Sequence, residues 1–527
     1  MNEGTDPKHG LEALNKFTSG RWLWNEKRQL AYRYVKFDLS ALLQIASSAV
    51  GSKSCTQVLK ISEGQYNKVF QITMDDGHEI IAKLPNPNAG RPHFTTVSEV
   101  ATMDFLPVLR VYTWSSRTSE NPLGAEYIIM EKQAGVVLTD VWDSLKGRQK
   151  AQVLDQIVDI QRRLAGARIA RFGSLYYVID IPDNAGPDSS LYFDLAGNEL
   201  RSKRFCIGPT NHRSFFDFGR GELDIDRGPC MLITAFCDLS SNLLIRIQYP
   251  GSTVTEVIAA IAEKEIATAK AGIRYLLMPE GLFHGPRQYQ PSISKKLPAL
   301  ENYLKVAPHV MPENQATHAS VIWHGDLHSQ NIFVNPEEPS QILGIIDWQS
   351  SSVHPLFMQV GRPAFLDYNG PVPKDLGKIP LPSNIDQMDA DEQRKGRELQ
   401  RAQTLHNLYL VRCLQADETV FQALQNQSTL RHQVSVVPGL VLMDYEPLLN
   451  SLLRDVQKEW AQIVGIGDDG SSPRTPCPLQ FSAEEVQQQE EDGELRELDE
   501  GVQRFLEREA KNDDERREWL DALTSVD

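Results

Sequence analysis

The stretch VIWHGDLHSQNIFV (321–334) constrains the fold of this chain more than any other segment. Its apolar ends, 321–323 and 332–334, predict two short strands, and the polar residues between them predict a tight loop. Catalytic and binding residues concentrate in loops that rigid flanks hold in place. Asp326 and Asn331 stand five positions apart in this loop. The stretch therefore predicts a loop that carries chemistry, and the rest of the chain has to indicate which chemistry.

A second apolar stretch, QILGIIDWQS (341–350), contains a further aspartate, Asp347, 16 positions after Asn331. Phosphoryl transfer from a nucleotide needs a carboxylate that orients the acceptor hydroxyl and oxygen ligands for Mg²⁺ that bridges the phosphates. Mg²⁺ takes carboxylate and amide oxygens and keeps substrate phosphates as further ligands. Asp326, Asn331 and Asp347 supply this set, so the two stretches together favour a nucleotide-dependent phosphotransferase.

The N-terminal part of the chain adds groups that could hold the phosphates. Asp76-Gly77, between two apolar runs, predicts a β-hairpin. Lys83 closes the second of these runs, and Glu99 follows in a stretch with helical periodicity (96–109). We expect Glu99 to pair with Lys83 and to hold it in place.

A polar turn, SEGQYNK (62–68), lies between the first two predicted strands, where a loop that covers phosphates would belong. Ser62 and Gly64 are its candidate cofactor-binding residues. The turn holds one glycine and no repeated glycine pattern. Turns need glycine for conformational reasons alone, so Gly64 has a structural explanation beside the functional one.

The organisation of the chain predicts two lobes of the α+β class. At 527 residues the chain exceeds one typical core. Short apolar runs and turns alternate up to a link near Gly135, and helical periodicity dominates after it. Long helices are predicted at 148–165, 254–276, 296–307 and 394–415. A small strand-rich lobe followed by a larger, mostly helical lobe is therefore expected.

Charge and hydropathy exclude some classes of partner. The net charge is −16, and residues 481–527 carry −11 of it through 17 acidic against 6 basic residues, which leaves −5 for the rest. Nucleic acid is not an expected partner, because phosphate binding needs a basic face. No stretch approaches the roughly 18 continuous apolar residues of a membrane helix.

The acidic segment repeats apolar residues three to four apart, which predicts either an amphipathic helix that docks on the body or a solvated charged helix. These apolar residues are Leu495, Leu498, Val502, Phe505 and Leu506.

The segments HGDLHSQN (324–331) and IIDW (345–348) resemble the aminoglycoside phosphotransferase superfamily, which includes choline-kinase-like enzymes and has a protein-kinase-like fold. Other stretches are similar to the fungal phosphotransferase-like group that includes the altered-inheritance-of-mitochondria proteins. These stretches are FTSGRWLWNE (17–26), SEVATMDFL (98–106), FCIGP (205–209) and PLFMQVGRPAFLDYNGP (355–371). The resemblance covers residues 17 to about 465.

This resemblance implies a two-lobed α+β fold with a small antiparallel-sheet N-lobe and a larger, mostly helical C-lobe. The implied regions are an N-terminal extension (1–55), the N-lobe (56–134), the C-lobe with substrate-pocket insertions (135–465) and an acidic, partly helical tail (466–527). The implied activity is transfer of a phosphoryl group from ATP, with Mg²⁺, to a hydroxyl of a small molecule. The implied location is the mitochondrion, but the N-terminus does not look like a presequence, so the cytoplasm is the alternative.

Each matching residue acquires a role through the resemblance. Asp326 matches the catalytic base, and Asn331 and Asp347 match the metal ligands. Lys83 matches the lysine that contacts the phosphates, and Glu99 matches its helix partner. The hinge that contacts adenine through its backbone would run from Glu131 to Gln133, and His324 would hydrogen-bond to backbone near the loop. Asp347 is followed by Trp348 and not by Phe-Gly, so no mobile kinase-type switch is expected.

Two other functions remain open. His324, Asp326, His328 and Asp347 offer mixed nitrogen and oxygen ligands, which is compatible with a metal-dependent hydrolase. A non-catalytic, kinase-like scaffold or regulator is the other alternative. The small-molecule acceptor cannot be identified from the sequence, and neither can protein partners. Contacts to the acceptor are expected from the region between Gly135 and Val321, including the segment 216–229 and the helix predicted at 254–276.

Overall fold

A computed structural model describes residues 13–20, 26–181, 190–193, 198–223, 225, 227, 253–273, 289–468 and 470–509, of which 499–509 are described by their backbone. The strands are β1 (Cys55–Glu63), β2 (Asn67–Met74), β3 (Glu79–Pro85), β4 (Val111–Ser115), β5 (Tyr127–Glu131), β6 (Val136–Val137), β7 (Ser174–Tyr177), β8 (Ser190–Phe193), β9 (Glu199–Arg201), β10 (Phe205–Gly208), β11 (Ser320–Ile322), β12 (Ile332–Val334), β13 (Ile342–Ile345) and β14 (Val353–Pro355). The helices are α1 (Glu26–Tyr32), α2 (Leu39–Val50), α3 (Phe94–Phe105), α4 (Leu138–Val141), α5 (Gly147–Gly166), α6 (Val254–Lys270), α7 (Ile293–Val306), α8 (Leu356–Gln359), α9 (Ala390–Ala416), α10 (Glu418–Asn426), α11 (Leu430–Val436), α12 (Glu446–Lys458), α13 (Trp460–Val464) and α14 (Ala483–Glu509).

An antiparallel sheet of five strands, in the order β1-β2-β3-β5-β4, forms the strand-rich part of the chain. The predicted hairpin joins β2 to β3, and Gly77 in its turn has a φ of +83°, which an L side chain rarely adopts. Strand β3 is almost entirely buried, and Lys83 lies opposite Val69 on one side and Ile128 on the other. The sheet therefore holds the lysine side chain on a rigid central strand.

The strands that flank the loop at 323–331 do not pair with each other. Strand β11 pairs with β14, whereas β12 pairs with both β13 and β6. The loop thus crosses from one small antiparallel sheet to another, and both of its ends are anchored. This arrangement, together with the five-stranded sheet and the long helices, confirms the predicted α+β class and kinase-like fold.

The chain divides into two compact units. The first comprises Met1–Asn15, Val35–His212 and Asn314–Gln427, and it contains all fourteen strands given above. The second comprises Lys16–Tyr34, Arg213–Glu313 and Ser428–Asp527. The boundaries predicted from the sequence for the N-lobe, C-lobe and extensions stay a prediction.

Three helices begin or end three or more residues from the predicted position. Helix α7 begins at Ile293 and not at 296, and the differences in α6 and α9 have local causes. Helix α6 ends at Lys270 and not at 276, because Gly272 adopts a φ of +70° directly after it, as glycines that end helices do. Helix α9 begins at Ala390 and not at 394, because Asp389 and Glu392 form a capping box. The aspartate and glutamate were visible in the sequence as a start signal.

In the second unit, the two segments expected to contact the acceptor meet each other. Arg220 Nη2 donates to both carboxylate oxygens of Glu265 in α6, at 2.5 and 2.7 Å, and both side chains are buried. Asp224, Asp226 and residues 228–229 of the first segment, and 274–276 of the predicted helix, lie outside the described residues. The role in acceptor binding stays a prediction.

Residues 483–509 of the acidic tail form α14, and polar residues connect this helix to the rest of the second unit. Lys295 Nζ lies 2.8 Å from Asp492 Oδ1, and Arg496 Nε donates to the backbone oxygen of Asp444 at 3.0 Å. Leu498, one of the residues in the apolar repeat, is 60% exposed. The side chains of Val502, Phe505 and Leu506 lie outside the described residues. Gln489 Oε1 of the helix also accepts a hydrogen bond from Arg454 Nη1 at 2.7 Å, and Leu479, which precedes the helix, is buried. The described contacts of the tail thus involve charged, polar and apolar side chains.

A buried carboxyl group in the second unit predicts a dependence of stability on pH. Burial raises the pKa of Glu446 from 4.5 to about 7, and Tyr289 Oη donates to its Oε1 at 2.5 Å. Between these two pKa values the folded state keeps a proton that the unfolded state loses, so the free energy of unfolding should decrease as the pH rises. The total decrease is up to about 3 kcal/mol. We expect melting temperatures measured from about pH 5 to about pH 8 to show this decrease in the wild type and a flatter profile in Glu446→Gln; equal slopes would contradict the assignment.

Candidate functional site

Three predicted site residues lie together, because Glu99 and Asp347 both bond the ammonium group of Lys83. Its Nζ donates to Glu99 Oε1 of α3 at 2.7 Å and to Asp347 Oδ1 at 2.7 Å. Lys83 and Glu99 are both buried, while the Asp347 side chain is 38% exposed. One ammonium group therefore links the central strand, the neighbouring helix and the aspartate that follows β13, and one of its two partners faces solvent.

The charges of this cluster support each other. Burial opposes the positive charge of Lys83, but the two carboxylates outweigh burial and raise the pKa of the lysine. Burial likewise opposes ionisation of Asp347, and the Lys83 ammonium outweighs it and lowers the pKa of that carboxyl. At neutral pH the site thus presents a charged lysine and a charged aspartate.

Asp347 adopts a left-handed backbone conformation, with a φ of +65°. Aspartate tolerates this conformation better than most residues. Trp348 fixes the segment that follows, because it is buried and its Nε1 donates to the backbone oxygen of Ile345 at 3.0 Å. Its ring also packs edge-on against His324, with 4.8 Å between the ring centroids. Tryptophan therefore anchors the segment that directly follows Asp347.

Backbone hydrogen bonds place Asp347 beside the loop at 323–331. The N–H of Ile346 donates to the backbone oxygen of Asn331 at 2.9 Å, and a 2.9 Å hydrogen bond joins His324 Nε2 to the backbone oxygen of Ile346. The backbone N–H of Asp326 donates to His324 Nδ1 at 3.3 Å, which leaves the proton of a neutral imidazole on Nε2. Burial lowers the pKa of His324, in agreement with a neutral ring. The predicted backbone hydrogen bonds of His324 are thus present.

Within the loop, Asp326 is 71% exposed and its Oδ2 lies 3.4 Å from His328 Nε2. The Asn331 side chain is buried, and its Nδ2 donates to the backbone oxygen of Asp326 at 2.9 Å and lies 3.2 Å from His328 Nε2. Since the amide nitrogen is used in this way, the carbonyl oxygen of Asn331 is the atom left to act as a ligand; no hydrogen bond to it is formed by the described residues. His328 therefore contacts both Asp326 and Asn331.

The donor set fits Mg²⁺ bound together with a nucleotide. Mg²⁺ commonly uses one or two carboxylates together with phosphate oxygens and water. Asp347 and Asn331 offer a charged carboxylate and an amide oxygen on adjoining segments. In the described part of the chain, no group of three or more His, Cys, Asp or Glu side chains could hold a metal ion by itself. The hydrolase alternative therefore lacks a metal cluster among those residues, and both ring nitrogens of His324 are engaged in backbone hydrogen bonds.

The turn between β1 and β2 contains Gly64, whose N–H donates to the backbone oxygen of Asn67 at 3.1 Å. Nothing lies within 4 Å of where a Cβ of Gly64 would stand, so the turn does not require glycine for space. Ser62, at the end of β1, is exposed. Gly64 lies on the turn as expected, whereas Ser62 belongs to β1, where it lies opposite Val69, so the turn is shorter than the predicted 62–68. The contact of Ser62 and Gly64 with phosphate stays a prediction.

A side chain missed in the sequence ties this turn to the segment after Asp347. Asn67 Nδ2 donates to Gln349 Oε1 at 2.5 Å, and Gln349 Nε2 donates to the backbone oxygen of Ala89 at 3.3 Å. Asn86 and Asn88, which follow β3, also hold the turn, because both donate through Nδ2 to the backbone oxygen of Gln65. These amides constrain the turn in place of a glycine-rich sequence.

The predicted hinge begins at the end of β5. Glu131 uses its side chain locally, because its Oε1 accepts the N–H of Arg110 at 2.7 Å. Gln133 Oε1 would lie 2.2 Å from a Cβ at Gly344, so the absence of a side chain at Gly344 gives Gln133 room against β13. The adenine contact assigned to the backbone of Glu131 to Gln133 stays a prediction.

The buried pair at Lys83 predicts a large effect on stability. Lys83→Met would leave Glu99 buried without its cation, a change that typically costs about 3–5 kcal/mol. We expect urea denaturation at neutral pH to show this loss, and we expect the double variant Lys83→Met/Glu99→Gln to recover most of it. A Lys83→Met variant with the denaturation midpoint of the wild type would contradict a contribution of the pair to stability.

Three comparisons connect this site with known proteins. The model of a family described as the phosphotransferase enzyme family matches residues 274–364, which include the loop and Asp347. A subtelomeric hrmA-associated cluster protein of Aspergillus fumigatus is 32% identical over 82% of this chain and 83% of its own length. Altered inheritance of mitochondria protein 9 of Yarrowia lipolytica is 26% identical over 93% of this chain and 83% of its own length.

Among solved structures, the GDP complex of aminoglycoside 2′-phosphotransferase-IIIa is similar to this chain with a TM-score of 0.33 and 12% identity. The match covers 78% of this chain and 96% of that one. Within the described part of this chain, no helix combines the length and the apolar character needed to cross a membrane.

Proposed function

Since this chain belongs to the phosphotransferase enzyme family, we propose that it transfers the γ-phosphoryl group of ATP to a hydroxyl of a small molecule, with Mg²⁺. The observation that carries the proposal is the position of Lys83, which bonds Glu99 and Asp347 at once, while Asp347 is held beside the loop of Asp326 and Asn331. A lysine, a metal-binding aspartate and asparagine, and an exposed carboxylate are the parts that phosphoryl transfer requires.

Each residue has a separate task in the proposed reaction. Lys83 contacts the phosphates, and Glu99 fixes the direction of its ammonium group. Asp347 and Asn331 would hold Mg²⁺, which would neutralise charge on the phosphates. Asp326 accepts a hydrogen bond from the acceptor hydroxyl and orients its oxygen for attack. Most of the rate enhancement then comes from positioning and charge stabilisation.

Transfer of labelled phosphate tests this function even while the acceptor is unidentified. The protein is incubated with Mg²⁺, ATP labelled at the γ-phosphate, and fractions of a deproteinised cell extract, and labelled small molecules are separated from ATP. We expect a labelled phosphate ester with the wild type and not with Asp326→Asn. A wild type that binds ATP but transfers label to no fraction would favour the scaffold or regulator.

We further propose the mitochondrion as the location. The support is that the relatives from Yarrowia lipolytica and Saccharomyces cerevisiae are named as mitochondrial proteins. The cytoplasm is the alternative, and fractionation of cells that express the tagged full chain distinguishes the two. Recovery with cytosolic markers alone would overturn the mitochondrial assignment.

A further inference from the structure

The start of helix α3, which carries Glu99, has an unusual backbone. His93 precedes the helix with a φ of +70° and a ψ of −58°, and Phe94 N–H donates to the backbone oxygen of Pro92 at 2.9 Å. These values describe a γ-turn with a positive φ at its centre, a rare and strained conformation for a residue with a side chain. Strain of this kind persists only where surrounding contacts hold it. The contacts around His93 therefore identify what fixes the helix.

A single carboxylate provides the main contact. Glu126, directly before β5, is 9% exposed. Its Oε1 accepts the backbone N–H of His93 at 2.8 Å, and its Oε2 accepts the hydroxyl of Thr96 at 2.5 Å. His93 itself provides no side-chain cap for the helix. From the segment that leads into β5, Glu126 thus binds both the residue that precedes the helix and a side chain of its first turn.

The imidazole of His93 is held as well. Its Nδ1 shares a 2.7 Å hydrogen bond with Ser116 Oγ, which follows β4, and its Nε2 lies 3.4 Å from the backbone oxygen of Asp180. The backbone and the side chain of His93 are therefore tied to the ends of two strands of the same sheet.

The charge of Glu126 suits this position. Burial raises the pKa of Glu126, and the hydrogen bonds from Thr96 and from the N–H of His93 oppose that rise. The partial positive charge of a helix N-terminus favours a negative group there. Hydrogen bonds to the start of α3 thus stabilise the buried carboxylate of Glu126, and the carboxylate in turn stabilises the start of the helix.

We propose that Glu126 is a positioning residue that fixes the start of α3 and so keeps Glu99 within hydrogen-bonding distance of Lys83. Thr96, which Glu126 binds, lies three residues before Glu99 and thus on the same part of the helix surface. Glu99 in turn bonds Lys83, and Lys83 bonds Asp347. The consequence for nucleotide binding rests on the proposed function, whereas the coupling between Glu126 and Glu99 does not.

A double-mutant cycle on unfolding tests the coupling without any ligand. Glu126→Gln, Glu99→Gln and the double variant are denatured with urea. If Glu126 acts through Glu99, Glu126→Gln shifts the midpoint less in the Glu99→Gln background than in the wild type. The control is Asp38→Ala. This change removes the side-chain cap of α2, in which Asp38 accepts a hydrogen bond from the backbone N–H of Ala41. Its shift is expected to be the same in both backgrounds; additive shifts for Glu126 as well would overturn the proposal.

Calorimetric titration of ATP with Mg²⁺ distinguishes a positioning role from a purely structural one. We expect Glu126→Gln to weaken binding by about 10–100-fold, the range typical for residues that orient a ligand-binding group. Asp38→Ala is expected to bind as the wild type does. Unchanged affinity in Glu126→Gln would overturn the effect on the site. A wild type without nucleotide binding would overturn the proposed function, while the unfolding cycle would still decide the role of Glu126.

Discussion

Asp326→Asn is expected to bind ATP with Mg²⁺ as tightly as the wild type does and to transfer phosphate about 10²–10⁴-fold more slowly. The carboxylate is 71% exposed and makes no bond to Lys83 or Asp347 among the described contacts, so its loss should leave the metal and phosphate groups in place. An asparagine keeps the size of the side chain but is a poor acceptor for the proton of a hydroxyl. The measurement is transfer of labelled phosphate under single-turnover conditions, beside calorimetry for binding.

A matched control separates this effect from a general loss of negative charge. Asp391→Asn changes an aspartate of helix α9 whose side chain is 79% exposed, in the same unit of the chain. Substitutions at such surface positions usually alter stability by less than about 0.5 kcal/mol. Asp391→Asn should transfer phosphate at the wild-type rate. Full activity in Asp326→Asn would remove Asp326 from the proposed reaction.

Asp347→Ala is expected to abolish the part of nucleotide affinity that depends on Mg²⁺. The variant removes a charged ligand from the proposed metal site and one of the two carboxylates that hold Lys83. Even residues that only orient a metal ligand are typically worth about 10–100-fold in metal affinity, so loss of the ligand itself should cost at least that much. The measurement is ATP affinity as a function of Mg²⁺ concentration.

Asn331→Ala provides a graded comparison, because it removes an uncharged ligand and leaves the Lys83 cluster intact. We expect a smaller loss of affinity than for Asp347→Ala, with a Mg²⁺ dependence that is weakened and not abolished. If Asp347→Ala retained the Mg²⁺ dependence of the wild type, the metal would have to bind elsewhere.

Features set by neighbouring residues were predictable from the sequence. The hairpin at Asp76-Gly77 follows from turn chemistry, and the pairing of Glu99 with Lys83 follows from a strand that is succeeded by a helix. The backbone hydrogen bonds of His324 were expected from the resemblance of HGDLHSQN to the family's loop. These are short-range patterns, in which spacing along the chain decides which atoms meet.

Contacts between distant segments could not be predicted in this way. Asn67 and Gln349 are 282 positions apart, and no local pattern indicates that they meet. Glu126 reaches the start of α3 across the sheet, so its role depends on the order of strands and not on spacing. In the tail, periodicity correctly indicated a helix, but Leu498 of the apolar repeat is exposed, and contacts of the helix are made by polar side chains such as Asp492 and Gln489.

The proposed nucleotide site is tested most directly by calorimetric titration of ATP into the purified wild-type protein with and without Mg²⁺. Saturable binding with one ATP per chain is expected when Mg²⁺ is present, and clearly weaker binding is expected when it is removed by a chelator. Absence of binding under both conditions would contradict the account, and the kinase-like site would then have to serve as a scaffold.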